Sequence, residues 1–413
     1  MRARGLARIW RQPPKLQVAG SNPAAPVLET VQMKLGEIER EIEKVVELIR
    51  KGYQRDFIKG RIGNVYFSKD KILEIAKCRI KARKKFGRMA EKLFFDEEGL
   101  RYATPPEIAD YRAKRLNGNA IADICCGVGL QLIYFSKYSK KAIGVEVDRM
   151  RAKLAKLNML AMNIKNVEII EGDALKIFNK IDADCIFCDP SRKPEEKERK
   201  FESLVPNPLK VYEIYRKKTD KIAFELPPQI RKEKIKIEGE KEYTSLNFDL
   251  NRLALYTGSL ANCHTSAVSL PTGERITNED EKMEIKKSEE LHNFLYEVDR
   301  TIIKAGLLEN LAGKIGFEGN LLQLKERRTL LTSPLLYASA FLKPYKVIEK
   351  CDFELNLINK ILKRLNARKA TLRFSIEPEN YWRIRKRIED GLNGDRSFYI
   401  FRVGGKAVVA ERY

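Results

Sequence analysis

Between Asn117 and Leu260, short apolar runs alternate with turns and amphipathic stretches, and this alternation limits the possible folds more than any other feature of the chain. The runs Ala120–Ile124, Ala142–Val147, Val167–Gly172, Cys185–Cys188 and Lys221–Glu225 have strand length, and each leads into a loop and usually a helix. Strands joined in this way are parallel and lie between layers of helices. The stretch "EYTSLNFDLNRLALYTG", Glu242 to Gly258, reads as a closing, hairpin-like pair of strands. An α/β fold is expected, with one open, doubly wound domain over residues 117–260.

The ends of these strands carry the chemistry. In "IADICCGVGLQLIYFSK" Asp123 ends the first strand, and Gly127 and Gly129 occupy the turn that opens the next helix, where unpaired backbone N–H groups can meet a ligand. Glu146, in "AIGVEVD", ends the second strand, and an acid at that edge beside a glycine turn is placed to bind a ribose diol. Asp173, in "IIEGDAL", ends the third and can accept from an adenine amino group or simply cap the next helix. The fourth ends in "CDPSRK", where Pro190 fixes the backbone after Asp189. A G-x-G turn alone belongs to many nucleotide folds. Leu132 stands where the dinucleotide fingerprint needs a third small residue, which argues against a nicotinamide site. Cys185 and Cys188 form a CxxC inside an apolar run and are read as strand packing.

Taken in order, these four strand ends resemble the class I S-adenosylmethionine-dependent methyltransferases, whose fold is Rossmann-like. The resemblance implies S-adenosyl-L-methionine as cofactor. It assigns the amino-acid part of the cofactor to the turn of Asp123, Cys125, Gly127 and Gly129, the ribose to Glu146, the adenine to Asp173, and the methyl acceptor to Asp189, Pro190, Ser191 and Arg192. Two departures stand out. Cys125 replaces the first glycine of the turn, and "DPSR" replaces the Asn/Asp-Pro-Pro-aromatic motif of amino-group methyltransferases, lying nearer the "DPPR" type of some RNA-modifying enzymes. The segments "LRYATPPEIADYRAKRL", "FELPP", "AVSLPTG" and "LYEVDRTIIKAGLLENLA" narrow the resemblance to methyltransferases with a C-terminal α/β THUMP-like domain, over residues 100–413. RNA, of the transfer or ribosomal kind, is the partner implied. The alternatives are a catalytically silent RNA-binding protein on the same fold and a methyltransferase for a non-RNA substrate.

The formal charge of +23 independently points to a polyanionic partner. A helical, basic N-terminal region is expected over 33–116; between Arg50 and Lys92 fifteen Lys/Arg face four Asp/Glu, with Tyr53, Phe57, Tyr66, Phe67 and Phe86 interleaved as candidate base-stacking groups. Residues 1–32 differ in composition, and Gly20-Ser21-Asn22-Pro23 is what a transfer-RNA T-arm yields when translated in one frame; translation is expected to start at Met33, leaving a charge of +19. Folding the encoding DNA as a cloverleaf tests this. A hairpin and charged linker are expected at 261–290, and a second α/β unit at 291–413. Seven scattered cysteines favour a reducing cytoplasm, two histidines argue against a histidine-rich metal site, and no apolar run has the length of a membrane span.

Overall fold

The structure, a computed structural model, describes residues 25–191 and 200–413, without the side chains of 25–33. The described residues divide into two compact units, one up to residue 80 and the other from residue 81 on. In the first, α1 (Ala25–Arg50) turns Ile38, Ile42 and Val45 inward at helical spacing and stops before Gly52, whose φ of +81° suits glycine. Helix α2 (Arg55–Arg61) follows, then α3 (Lys69–Phe86), within which the division falls. The Glu41 carboxylate accepts from the Gly63 N–H at 3.0 Å and Lys44 donates to the Arg61 carbonyl at 2.6 Å, so α1 is tied to the turn after α2.

The second unit begins with α4 (Glu97–Tyr102) and α5 (Pro106–Leu116) and continues as β1 (Ala120–Asp123), α6 (Leu130–Tyr138), β2 (Lys141–Glu146), α7 (Arg149–Ala161), β3 (Val167–Glu171), β4 (Cys185–Cys188), α8 (Pro208–Tyr215) and β5 (Ile222–Leu226). After these come the hairpins β6 (Glu240–Leu246) with β7 (Asp249–Tyr256), and β8 (Thr265–Leu270) with β9 (Glu274–Thr277). All nine strands join one sheet in the order β3-β2-β1-β4-β5-β7-β6-β8-β9. Strands β1 to β5 are mutually parallel, and β7 pairs with β5 antiparallel. The five strands fall on the five apolar runs; β1, β2, β4 and β5 are buried on both faces and so stand out in the sequence, whereas β3, at the sheet edge, is only partly buried. The Cys185–Cys188 pair lies fully inside β4. The Pro-Thr-Gly hairpin extends this same sheet, with β8 parallel to β6.

The chain then forms β10 (Phe294–Val298), α9 (Arg300–Ala305), α10 (Leu308–Ile315), β11 (Asn320–Gln323), β12 (Thr329–Ser333), β13 (Leu342–Asp352), α11 (Leu355–Arg364), β14 (Ala367–Arg373), α12 (Pro378–Glu389), β15 (Arg396–Val403) and β16 (Lys406–Arg412). Its seven strands make a second sheet, β11-β12-β10-β13-β16-β15-β14. One apolar core joins the two sheets, since Ile186, Phe224, Leu253 and Ile276 share it with Tyr296, Ile302, Leu311 and Phe341. The charged tract after β9 is fastened to α10: Asn310 donates to the Asp280 carbonyl at 2.7 Å, and Lys314 pairs with the Asp280 carboxylate at 3.2 Å.

One buried amide holds the strand-end region together. Asn158 of α7, wholly buried, accepts from the Phe94 N–H at 2.7 Å and donates to the carbonyls of Phe94 at 3.0 Å and Val128 at 2.8 Å. Asn158→Ala strips partners from three buried backbone groups and is expected to lower stability by about 3 kcal/mol. A urea midpoint shifted down at unchanged slope would report it.

Candidate active site

In an open parallel sheet, ligands bind beyond the carboxyl ends of the strands, where the strand order reverses. Here that point lies between β1 and β4, and Asp123, Glu146, Asp173 and Asp189 stand at the ends of β1, β2, β3 and β4 on that edge. A depression of about 520 Å³ lined by Asn117, Lys137, Asp184 and Lys221 lies at the opposite, amino-terminal edge and carries none of these acids.

The turn after β1 is built around two carboxylates. Asp123, 2% exposed, accepts from the Cys125 N–H at 3.1 Å. Glu146 accepts from the N–H groups of Gly127 and Asp148, both at 2.8 Å, and so pins the end of β2 to the turn. A carboxylate offers about four lone pairs, so two remain for a further donor. Gly127 and Gly129 have φ of +54° and +79°, a region that side chains avoid, and no atom lies within 4 Å of the place where a Gly127 Cβ would stand. The backbone there is open to close approach. Cys125 is not among the described residues with positive φ, which explains why a residue other than glycine is tolerated; its sulfur turns to Cys188, 3.8 Å away. That neighbour, together with burial, holds the Cys125 thiol well above the usual range, so it stays protonated.

Burial pushes Asp123 up to about 8, opposed by the Cys125 N–H and reinforced by the charge of Asp189. Unfolded, the group titrates near pH ~4. The folded chain therefore holds a proton that the unfolded chain releases, and Asp123's contribution to stability is full below about pH 4 and lost as pH rises toward about 8. Melting of the cofactor-free protein is expected to show this fall, and Asp123→Asn to flatten it.

Asp173 is 40% exposed at its side chain; one oxygen accepts from the Leu175 N–H at 3.0 Å and the other lies 3.7 Å from Lys176, so it does cap the following turn. Asp189 is half-buried and Pro190 buried. Ser191 is engaged by its own chain: its N–H donates to the Val205 carbonyl at 2.8 Å, and its carbonyl accepts from the Val205 N–H at 2.9 Å. Arg192 lies outside the described residues.

Three charged residues given no role by the sequence complete this edge. Arg112 of α5, 3% exposed, pairs with Glu225 of β5, donates to Gln131 at 2.8 Å and lies over the Phe187 ring at 4.6 Å. Arg252 of β7 meets the same Glu225 at 2.6 Å. Burial pulls both arginines below their usual range, and Asp189 acts against this in each. The signal was available in "FELPP" and "LNRLALY", since a charge inside an apolar strand must find a partner.

A cleft with the carboxylates of Glu146 and Asp189, and the protonated Asp123 carboxyl beside an open glycine turn, fits a ligand that carries a sulfonium, an ammonium and a ribose diol. A sequence model of the family described as RNA cap guanine-N2 methyltransferase matches residues 118–288. An uncharacterized S-adenosylmethionine-dependent methyltransferase of Mycobacterium tuberculosis is 24% identical over 313 residues, 73% of this chain and 84% of its own. An uncharacterized RNA methyltransferase of Clostridium tetani is 27% identical over 174 residues, 40% of this chain and 36% of its own. The crystal structure of a protein assigned as a methyltransferase from Porphyromonas gingivalis W83 shares the fold with a TM-score of 0.72 at 18% identity, covering 90% of this chain and 98% of that one. With the strand order, the turn and the family match in agreement, this chain is a class I S-adenosylmethionine-dependent methyltransferase.

Proposed function

We propose that this methyltransferase modifies a nucleotide in structured RNA, of the transfer or ribosomal kind. The observation that carries the RNA reading lies in the N-terminal unit. Tyr53 and Phe57 are 47% and 42% exposed and stack on each other at 4.7 Å, and the Arg61 guanidinium lies 5.0 Å from the Phe57 ring centroid. Exposed rings set among cations are the means by which proteins hold unpaired bases. Of the aromatics picked out by sequence, Tyr66 is also exposed, whereas Phe67 and Phe86 are core residues. The charge of +23 and the RNA descriptions of the matching family and of the Clostridium relative support the same substrate class. The second sheet with its helices is read as the THUMP-like domain, and seven free cysteines suit a reducing cytoplasm.

The roles follow from the strand ends. Cys125, Gly127 and Gly129 line the turn that receives the amino-acid part of the cofactor, Glu146 accepts from the ribose and Asp173 from the adenine. S-adenosylmethionine supplies an electrophilic methyl group on its sulfonium. Asp189 then has two tasks, to hold the acceptor base in line and to take the proton that the acceptor loses. Pro190 fixes the backbone that aims Asp189, the tie between Ser191 and Val205 braces it from behind, and Arg192 is assigned to the substrate phosphate or base. Mass spectrometry of nucleosides in total RNA with and without the gene tests the proposal, followed by transfer of labelled methyl to the RNA fraction that changes. An identical nucleoside profile in both, with no labelled RNA, would sink it.

A further inference from the structure

In the C-terminal sheet one buried carboxylate has gathered more cations than it can neutralise. Glu297 of β10 is 3% exposed; Arg373 donates to it through Nε at 3.0 and 3.1 Å and also through Nη2, Arg328 Nε approaches at 3.0 Å, and the Tyr345 hydroxyl donates at 2.8 Å. Lys343 is directly opposite Glu297 in the β10–β13 ladder. Arg373 ends the edge strand β14, four strands from β10 in the sheet order, so the sheet curls to bring it there. Three cations thus surround one carboxylate. Asp249 and Arg412 also act on Lys343, with opposite signs, and leave the excess of two positive charges in place. The side chains of Arg328 and Arg373 remain 25% and 31% exposed, facing water from this cluster. Burial pulls Arg328 and Lys343 below their usual range, whereas for Arg373 the Glu297 carboxylate outweighs burial and holds it above.

The cluster also reaches the acceptor edge. Strand β7 is antiparallel to β5 with Leu253 opposite Leu226, so Asp249–Arg252 and the turn before them project past the carboxyl end of β5. Phe248 in that turn has a φ of +71°, a strained conformation for a bulky side chain, and the Lys343 ammonium sits 3.9 Å from its ring centroid. The residue that holds the strained tip is therefore a member of the cation cluster, and Arg252 of the same hairpin acts on Asp189.

We propose that Arg328, Lys343 and Arg373 form a phosphodiester site that holds the RNA backbone while the target base occupies the edge beside Asp189. Three cationic donors gathered around Glu297 suit phosphate oxygens, and guanidinium groups can bind them in pairs. The site rests on the RNA reading above.

The test uses the full chain, end-labelled bulk transfer RNA as probe, and binding measured over a series of KCl concentrations. Lys343→Met removes one cation, leaves Glu297 with both arginines and Tyr345 and keeps methylenes able to cover the Phe248 ring, and its fold is checked by circular dichroism; Arg328→Gln is the second variant. Each is expected to lower the slope of log affinity against log salt by about 0.7 to 0.9, with calorimetric binding of S-adenosylhomocysteine unchanged. A wild-type chain that binds steeply with salt, while Lys343→Met keeps the same slope, overturns the phosphodiester site and leaves the RNA reading standing. A wild-type chain with no salt-dependent binding overturns both. Should Arg328→Gln fail to fold, as judged by circular dichroism, Lys343→Met decides alone.

Discussion

Replacing Asp189 by alanine is expected to lower methyl-transfer turnover by about two to four orders of magnitude while cofactor affinity stays nearly unchanged. The size follows from the two tasks given to this carboxylate, since positioning and proton removal both act on the reacting acceptor and neither acts on the cofactor. Glu146→Ala is the counterpart. That side chain pins the Gly127 and Asp148 N–H groups at 2.8 Å, so its loss frees the turn as well as removing a ribose acceptor, and cofactor affinity is expected to fall by at least tenfold, roughly the worth of one or two hydrogen bonds to a charged group. Calorimetry with S-adenosylhomocysteine separates the two variants from turnover measured at saturating cofactor. If Asp189→Ala weakens cofactor binding and Glu146→Ala spares it, the assignment of roles is reversed.

The largest effect on stability is expected from Glu225→Ala. This carboxylate lies between Arg112 and Arg252, is 5% exposed, and pairs with two guanidinium groups that burial already pulls down. Removing it takes the partner from both cations and leaves Arg112 against the Phe187 ring and the Gln131 amide, at a cost of about 3–5 kcal/mol. Glu225→Gln keeps the volume and one acceptor and should lose less. The pair of denaturation curves distinguishes lost charge from lost packing; equal losses would show that the ion pairs contribute little. A buried charge left without its partner is penalised more heavily than an intact pair is rewarded, so the prediction concerns breaking the network and not its net worth.

The sheet and the candidate site were legible to different depths. Strands β1, β2, β4 and β5 could be read because both faces are buried, β3 because its short run sits between turns, and the chain from residue 291 only as a second α/β unit. Asp123, Glu146, Asp173 and Asp189 could be picked out because each is an acid at the end of an apolar run, beside glycine or proline. Arg112, Glu225 and Arg252 could not be given partners, for Arg112 lies more than a hundred residues before the other two and all three meet only when α5, β5 and β7 pack. Nor could the sequence separate the exposed Tyr53 and Phe57 from the buried Phe67 and Phe86, because all lie in the same basic, aromatic stretch and only packing sorts them.

By itself the sequence determined the local order of events: which runs become strands, where each ends, and which acid or glycine stands at that end, since these depend on hydrophobic period and on the few residues able to turn the backbone. The tertiary structure alone decided which strands neighbour one another, that the acids face one edge, and that Glu297 collects Arg328, Lys343 and Arg373 from three other strands and loops. Burial and long-range charge act through space, and distance along the chain carries no information about either.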